Sequence, residues 1–431
     1  MQSPSLRNIV AGLICLCASF GAKPLAASPD SIVAPPKYLL RIDSLVNFLV
    51  DDCDTLTIKQ IIKQKNSLEF EQLEHQGSYV LSNTQAAHWL AFQMENSSKQ
   101  PLRLVVELDN ARLDSVLMYA VLKDSVMEHK VAGKKISPAL WDMRTRNPAF
   151  QVDIPAGRNR QLYFKVKHSE HTRIPLKVYT RAEFETYKDK TNLIFTLFYG
   201  ILFVIVVHNF FLFLAHRDFT YLMYLLVNGV MAVLLMNLNG FPFQYAELTI
   251  LKMHDLRIIY ALLAYLFLLF TIGYLRLRRT DKILFYGFST SAFLFPILAA
   301  VFLYLAMDME RLQWYMLGAL LVLLFVGALY QLQRHRYRPT WHYLSAMWVL
   351  LLGVSFYLLA LTGKFPANFW MEYALQVGII LCVSLLSMGL SERQKLIDKE
   401  KEGGRQRATY ISELMDFLKE LHQNPDGEKT A

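Results

Sequence analysis

Cysteine is scarce in this chain, with four among 431 residues, and their placement excludes a stapled domain. Cys15 and Cys17 lie in an apolar leader, Cys53 in the segment after it and Cys382 in a late hydrophobic run. Once the leader is gone no intramolecular disulfide is expected, so an exported domain must be held by its core. Charge is thin as well: Asp, Glu, Lys and Arg make up 19% of the residues, whereas 54% are hydrophobic. That balance excludes an ordinary soluble enzyme and points to membrane insertion. The formal net charge of +9 does not indicate a nucleic-acid partner, because many of the basic residues sit in short loops between apolar runs. Motifs of chemistry are missing too. There is no nucleophile-elbow serine, no glycine-rich nucleotide loop and no paired intramembrane His and acid, so neither an enzyme nor a cofactor is expected. His168-Ser169-Glu170-His171 is the one cluster with metal-ligand chemistry. A catalytic site needs three ligands and an open position, and the sequence does not fix a third, so no metal site is assigned.

What is present begins with an export signal over residues 1–27. Arg7 precedes an apolar run from Ile9 to Phe20, and small residues Ala26, Ala27 and Ser28 follow. A run of about 12 residues is too short to span a bilayer comfortably. An uncleaved anchor helix is the alternative, and in either case the next segment is exported.

Residues 28–186 read as strands. Leu90, Phe92 and Met94 share one face, as do Leu102, Leu104, Val106 and Leu108, then Phe150, Val152 and Ile154, then Leu162, Phe164 and Val166. Period two means half-buried strands. Breaks at Asn96-Ser97-Ser98, Ala132-Gly133-Lys134 and Pro155-Ala156-Gly157 suit turns. Several short strands at this spacing predict an all-β sandwich, jelly-roll-like in type. Before them, Ile58, Ile61 and Ile62 fall on one face of a short helix over Thr57 to Lys65.

Residues 192–390 carry seven stretches long enough to cross the hydrocarbon core: Asn192–Ala215, Phe219–Leu238, Leu256–Leu275, Ile283–Leu305, Leu312–Leu332, Trp341–Leu361 and Phe369–Leu390. With the strand domain outside, the inner loops hold Arg217, then Arg276, Arg278, Arg279 and Lys282, then Arg334, Arg336 and Arg338. The outer loops hold mainly Lys252, Arg311 and Lys364. This bias and the export signal agree on one orientation, with the N-terminal domain exported and the C-terminus cytoplasmic. Polar residues inside the stretches are His208, Asn209, Asn228, Asn237 and Gln376. They read either as a switch or ion path, or as interhelical hydrogen bonds that hold the bundle. Pro296 is expected to kink the fourth stretch.

Several segments in order carry a family resemblance. They are His88-Trp89-Leu90-Ala91-Phe92 through Glu95-Asn96, Glu107-Leu108-Asp109-Asn110-Ala111-Arg112-Leu113-Asp114, and Arg146-Asn147-Pro148-Ala149-Phe150. Phe198-Tyr199-Gly200-Ile201-Leu202, His208-Asn209-Phe210-Phe211-Leu212-Phe213-Leu214, Arg217-Asp218-Phe219-Thr220-Tyr221-Leu222 and Asn239-Gly240-Phe241-Pro242-Phe243-Gln244-Tyr245 follow. From about Tyr38 to Leu390 the chain resembles the bacterial seven-transmembrane receptors with diverse intracellular signalling modules. The resemblance implies a periplasmic jelly-roll domain that binds carbohydrate or a related small ligand and feeds a helical bundle. Family members commonly continue into a kinase, a cyclase or a DNA-binding domain. Residues 391–431 are too few for one, because a folded domain needs roughly 50 residues.

The expected architecture is thus a β-sandwich ectodomain, a seven-helix transmembrane bundle and a cytoplasmic helical tail over residues 391–431. The tail is expected to divide at Gly403-Gly404. After that break Ile411, Leu414, Leu418 and Leu421 form a short heptad seam. Such a seam could pair with its twin as a homodimer, dock on a separate cytoplasmic signalling protein, or lie on the inner bilayer surface. For the ligand, Trp89 offers a stacking face, Arg144, Arg146 and Arg173 offer forked donors, and Asn110 and Asn147 lie in the family-like segments. Trp89 could equally be a buried core residue, and the arginines could pair with Asp109 and Asp114. The expected function is a receptor that senses a small molecule and signals to that partner. A transporter or permease with an accessory periplasmic binding domain is the alternative, although neither broken helices nor related halves are evident.

Overall fold

The computed structural model describes residues 40–42, 46–63, 70–72, 78–81, 86–122, 125–168, 172–245, 256–304, 310–335, 337–362 and 369–423. The export signal lies outside them, as do Ser169–His171. Contacts divide the chain into a sensor unit of residues 1–189, 240–250 and 355–374, and a helical unit of residues 190–239, 251–354 and 375–431.

In the sensor unit the period-two runs form two antiparallel sheets. The larger contains β1 (Leu40–Ile42), β2 (Asn47–Asp51), β3 (Glu71–Gln72), β5 (Ala87–Asn96), β7 (Ser115–Leu122), β8 (Ser125–Ala132) and β10 (Asn159–Lys167). Its order is β3-β2-β5-β10-β7-β8, with β1 also pairing β5. The smaller runs β4-β11-β6-β9, from β4 (Ser78–Leu81), β11 (Thr172–Thr180), β6 (Leu102–Leu108) and β9 (Ala149–Ile154). Leu90, Phe92 and Met94 of β5 meet Leu104, Val106, Phe150, Val152 and Val178 of the smaller sheet in one buried core. Each such side chain contributes about 1.5–3 kcal/mol on burial, which answers the lack of a disulfide. Cys53 and Cys382 are both free thiols.

The alternate positions of β5 are buried as well, because α1 (Ile58–Lys63) covers the larger sheet's outer face. Thr57 caps this helix against the Gln60 side chain at 2.8 Å, and Ile61 packs with Trp89, Ala91 and Tyr163. The outer face of the smaller sheet is covered in turn by the start of α2 (Arg181–His216). Phe184 and Tyr187 pack there on Val105, Ala149 and Tyr179. No residue separates β11 from α2. A reciprocal capping box starts the helix, Thr180 donating from its backbone N–H and hydroxyl to Glu183 while the Glu183 N–H donates to the Thr180 hydroxyl.

The helical unit contains most of α2, then α3 (Phe219–Leu238), α5 (Arg257–Tyr274), α6 (Leu277–Thr280), α7 (Lys282–Tyr304), α8 (Glu310–His335), the greater part of α9 (Pro339–Thr362) and nearly all of α10 (Phe369–Gln423). A four-residue helix, α4 (Phe241–Gln244), follows α3 in the chain and belongs to the sensor unit. Among the described residues, stretches within Arg181–His216, Phe219–Leu238 and Tyr373–Asp416 are long and apolar enough to cross a membrane, and Ile258–Tyr274 is a shorter apolar helix. Helices α7, α8 and α9 occupy the remaining apolar stretches, with Pro296 inside α7.

Large apolar side chains such as Phe203, Val204, Phe211 and Phe293 point outward. This is the inverse of a water-soluble surface and fits a hydrocarbon solvent. Aromatic residues fill the interior: Tyr221, Tyr224, Phe270, Tyr274, Tyr343 and Phe288 are buried together. The close packing depends on Gly389, where a Cβ would collide with the Tyr274 hydroxyl.

One expectation is corrected. The tail does not divide at Gly403-Gly404, because α10 runs unbroken through both glycines to Gln423. Each glycine costs about 1 kcal/mol relative to alanine in a helix interior. A long helix with intact hydrogen bonding on both sides absorbs that cost without a break.

Candidate functional site

Strand alternation places the site. With Leu104, Val106 and Leu108 facing the sandwich core, Val105 and Glu107 must face the other way, under the first turns of α2. Glu107 lies opposite Lys177 of β11 and Ala149 of β9 in the ladder. Asp109 follows at the end of β6, and the loop before β9 brings Arg146 and Asn147. The Asn147 side-chain amide donates to Glu107 Oε1 at 2.9 Å and to Asp109 Oδ1 at 2.6 Å. Lys177 Nζ pairs with Asp109 Oδ2 at 2.5 Å and lies 5.4 Å from the centre of the Tyr187 ring. Glu107 is 3% exposed, and its Oε2 has no hydrogen-bond partner among the described residues.

A buried carboxyl and a half-buried one thus share one amide and one half-buried ammonium. Burial first, and the charge of Asp109 second, push the Glu107 carboxyl up to about 7, against the pull of Lys177, Asn147 and Arg146. Burial would raise Asp109 too, but the Lys177 ammonium overrides it and holds Asp109 below the ordinary range. Lys177 is raised in return, its own burial outweighed by Asp109.

The same loop receives the segment that follows α3. Gly240 has φ +77°, which favours glycine. A Cβ there would collide with the Arg146 carbonyl oxygen and lie 2.6 Å from the Ala111 Cβ. Phe243 is buried in the sandwich core cluster and stacks on Trp141 at 5.5 Å between ring centres. Its N–H donates to the Gly240 carbonyl at 3.1 Å, and the Arg146 guanidinium lies 5.9 Å from the centre of the Phe241 ring. Two of the segments quoted for the resemblance, Glu107–Asp114 and Arg146–Phe150, therefore converge with the Gly240–Tyr245 part of a third.

Of the six candidate ligand residues, Asn147 and Arg146 are in this cluster and Asn110 is close by in sequence, accepting from the Arg112 N–H at 2.9 Å. Arg144 is exposed two residues away. Trp89 is elsewhere and fully buried. Its ring packs against Tyr119 and under the Lys165 ammonium, leaving no open stacking face. Arg173 pairs with Val80 in β11–β4, and its side chain lies outside the described residues. His168 is buried with Nδ1 3.6 Å from Asp114, which also binds Lys134 at 2.9 Å and Lys135 at 2.6 Å. Glu107, Lys177, Gly240 and Phe243 were not singled out by sequence reasoning. The only signal available for Glu107, Gly240 and Phe243 was membership in the quoted segments, and for Lys177 there was none.

In the helical unit, Asn209 donates to Ser387 Oγ at 2.8 Å and joins α2 to α10. Asn228 and Asn237 donate to carbonyls one turn back in α3, at 2.7 and 2.9 Å. Gln376 is buried, and His208 is exposed. A second charged cluster grips α10. Asp218 caps α3 and accepts from Arg393 at 2.7 Å, Arg276 makes a two-pronged pair with Glu400 at 2.8 and 2.9 Å, and His342 meets Glu392 at 2.9 Å. Burial would raise the Asp218 carboxyl, but Arg393 and the Thr220 N–H leave it lowered. Further along, Ile411, Leu414 and Leu418 are exposed, and the side chain of Leu421 lies outside the described residues.

Two family models match this arrangement. Residues 43–180 match the extracellular module described as 7TMR-DISM extracellular 2, and residues 191–393 match the module described as 7TM diverse intracellular signalling. The chain belongs to the seven-transmembrane receptors with diverse intracellular signalling modules. It is therefore a membrane signalling receptor with an extracellular, β-rich sensor domain. No curated protein matches the receptor. Among solved structures, the GH31 alpha-xylosidase from Xanthomonas citri aligns at 8% identity with a TM-score of 0.19, covering 36% of the receptor and 16% of the enzyme. The receptor thus spans under a fifth of that enzyme's length, and a likeness this low says nothing about its activity.

Proposed function

We propose that the receptor crosses the bacterial inner membrane seven times, with the sandwich in the periplasm and the end of α10 in the cytoplasm. In this reading the sandwich binds a small, carbohydrate-like ligand, and the helices relay the event to a separate cytoplasmic protein that docks on the α10 seam. The chain itself performs no enzymatic step. The observation that carries the reading is the seating of Gly240 and Phe243 in the sensor unit immediately after α3. Any ligand that shifts the Arg146 loop acts on a segment tied directly to a membrane helix. The loopless passage from β11 into α2 supports the same idea, and the basic residues at Arg217, Arg276–Lys282 and Arg334–Arg338 support the orientation.

The test uses the full chain in nanodiscs, melted against a panel of mono- and disaccharides and small carboxylates. A binder present at about 100 times its Kd stabilises the native state by about 2.7 kcal/mol. It is expected also to change hydrogen exchange in residues 405–423. Gly240→Val should keep the melting shift and abolish the tail response; a tail response that survives the substitution sinks the relay. Pull-downs with the intact chain and with one ending at Leu390 test the docking seam, which identical partner sets would eliminate. Solute accumulation in vesicles driven by an ion gradient would favour transport instead.

A further inference from the structure

The buried carboxyl of Glu107 and the half-buried one of Asp109 carry more polar capacity than their surroundings satisfy. Lys177 neutralises one of them, the single Asn147 amide is divided between both, and Glu107 Oε2 is buried with no donor among the described residues. The groups facing Glu107 come from every element packed on it: Asp109 at the end of its own strand, Arg146 and Asn147 from the loop before β9, and Lys177 from β11. Tyr187 of α2 and Tyr179 of β11 stand behind Lys177.

That loop is also the seat of Gly240. Thr145 donates its hydroxyl to the Asn147 carbonyl at 2.6 Å, the Asn147 amide ties the loop to the carboxyls, and the Arg146 carbonyl limits how Gly240 can sit. We infer that Glu107 and Asp109, bridged by Asn147, form a proton-binding site that sets how firmly the Gly240–Phe243 segment is seated, so that the receptor responds to external pH.

The chemistry gives the direction. When both carboxyls are ionised each accepts more strongly from the shared Asn147 amide, but they repel one another at a site with one ammonium between them, and that repulsion pushes apart the strand end and the loop that the amide ties together. A proton on Glu107 removes the repulsion and gives Oε2 a hydrogen to donate. The seat is therefore firm at mildly acidic pH and loosens as Glu107 ionises near neutrality, in line with the upward push on this carboxyl to about 7. This rests on the relay reading only for its consequence at the tail; the proton site and its effect on the seat stand apart from it.

The experiment measures hydrogen exchange of the full receptor in nanodiscs between pH 5 and 8, corrected for intrinsic rates. The reporters are the Phe243 and Tyr245 amides, which bond to Gly240 and Phe241 carbonyls. In the native chain their protection should fall by up to about tenfold per pH unit between about pH 5 and 7, the limit for one linked proton. In Glu107→Gln, a neutral isostere, protection should stay high and flat. Infrared titration reads the proton directly: a protonated-carboxyl band should disappear near neutrality and be missing from Glu107→Gln. Flat protection in the native chain, an unchanged slope in Glu107→Gln, or a band that titrates while the two amides do not respond would each overturn the inference. A normal slope together with a tail that ignores Gly240→Val would retain the proton site and discard the relay.

Discussion

The sensor unit and the helical unit each hold acids against cations, but in different company. Asp218 meets one guanidinium and one backbone N–H, an arrangement close to one charge for one charge. Glu107 and Asp109 share one amide and face two half-buried cations, Lys177 paired with Asp109 and Arg146 in the loop before β9. A matched pair keeps its carboxylate ionised through the physiological range. Of two acids at one site, the one left in the interior is pushed towards neutrality, because Lys177 is paired with Asp109 while Glu107 is fully desolvated beside that second anion. The number of partners per acid decides which end of the molecule can sense a proton and which can only clamp a helix.

The largest expected effect breaks the sensor cluster. Lys177→Met leaves buried Glu107 and half-buried Asp109 without their ammonium and should cost about 3 to 4 kcal/mol of local stability at pH 8, read as lost protection of the β6 amides. The loss should shrink as the pH is lowered and the acids take up protons.

Next comes Glu107→Gln. A buried acid whose folded value exceeds its unfolded one contributes stability in full below the unfolded value of about 4.5 and loses it as the pH rises to about 7. The native sensor should therefore weaken by about 3 kcal/mol over that window. The variant should not, and should be the more stable of the two at pH 8.

Arg393→Met tests the opposite cluster. It strands Asp218, which is partly open to solvent, so about 2 kcal/mol is expected, measured as faster exchange in the first turn of α3. Its sign with pH is the reverse of the sensor's. Asp218 is lowered in the folded chain, so the pair's contribution is present above the ordinary Asp range and is lost as the pH falls through the folded value. The smallest effect is that of Arg276→Gln, about 0.5 kcal/mol, because Glu400 is more than half exposed. A larger loss of protection in residues 395–405 would show that this outer pair grips α10 as firmly as Arg393 does.

The fold was legible where burial has a short period. Leu90, Phe92 and Met94, or Phe150, Val152 and Ile154, reveal their inward face within a few residues, and the apolar stretches reveal their helices because hydrocarbon tolerates little else. Trp89 shows the limit. Its alternation put it opposite Leu90, but whether that face was open depended on α1 folding over it. Gly403-Gly404 shows another, since local propensity predicted a break that the continuous helix overrode.

The candidate site was legible only in part. Asn147 and Arg146 could be suspected from their segment, whereas Glu107 and Lys177 are neighbours solely through the β6–β11 register. Gly240 reaches Arg146 from far along the chain. By itself the amino-acid order determined a β-rich sensor joined to apolar helices, because alternation and hydrophobic length are local properties that solvent reads directly. Tertiary structure alone decided which acids share a countercharge and which turn sits against them. Desolvation and Coulomb energy act through space, and their strength depends on distances the chain acquires only when it closes on itself.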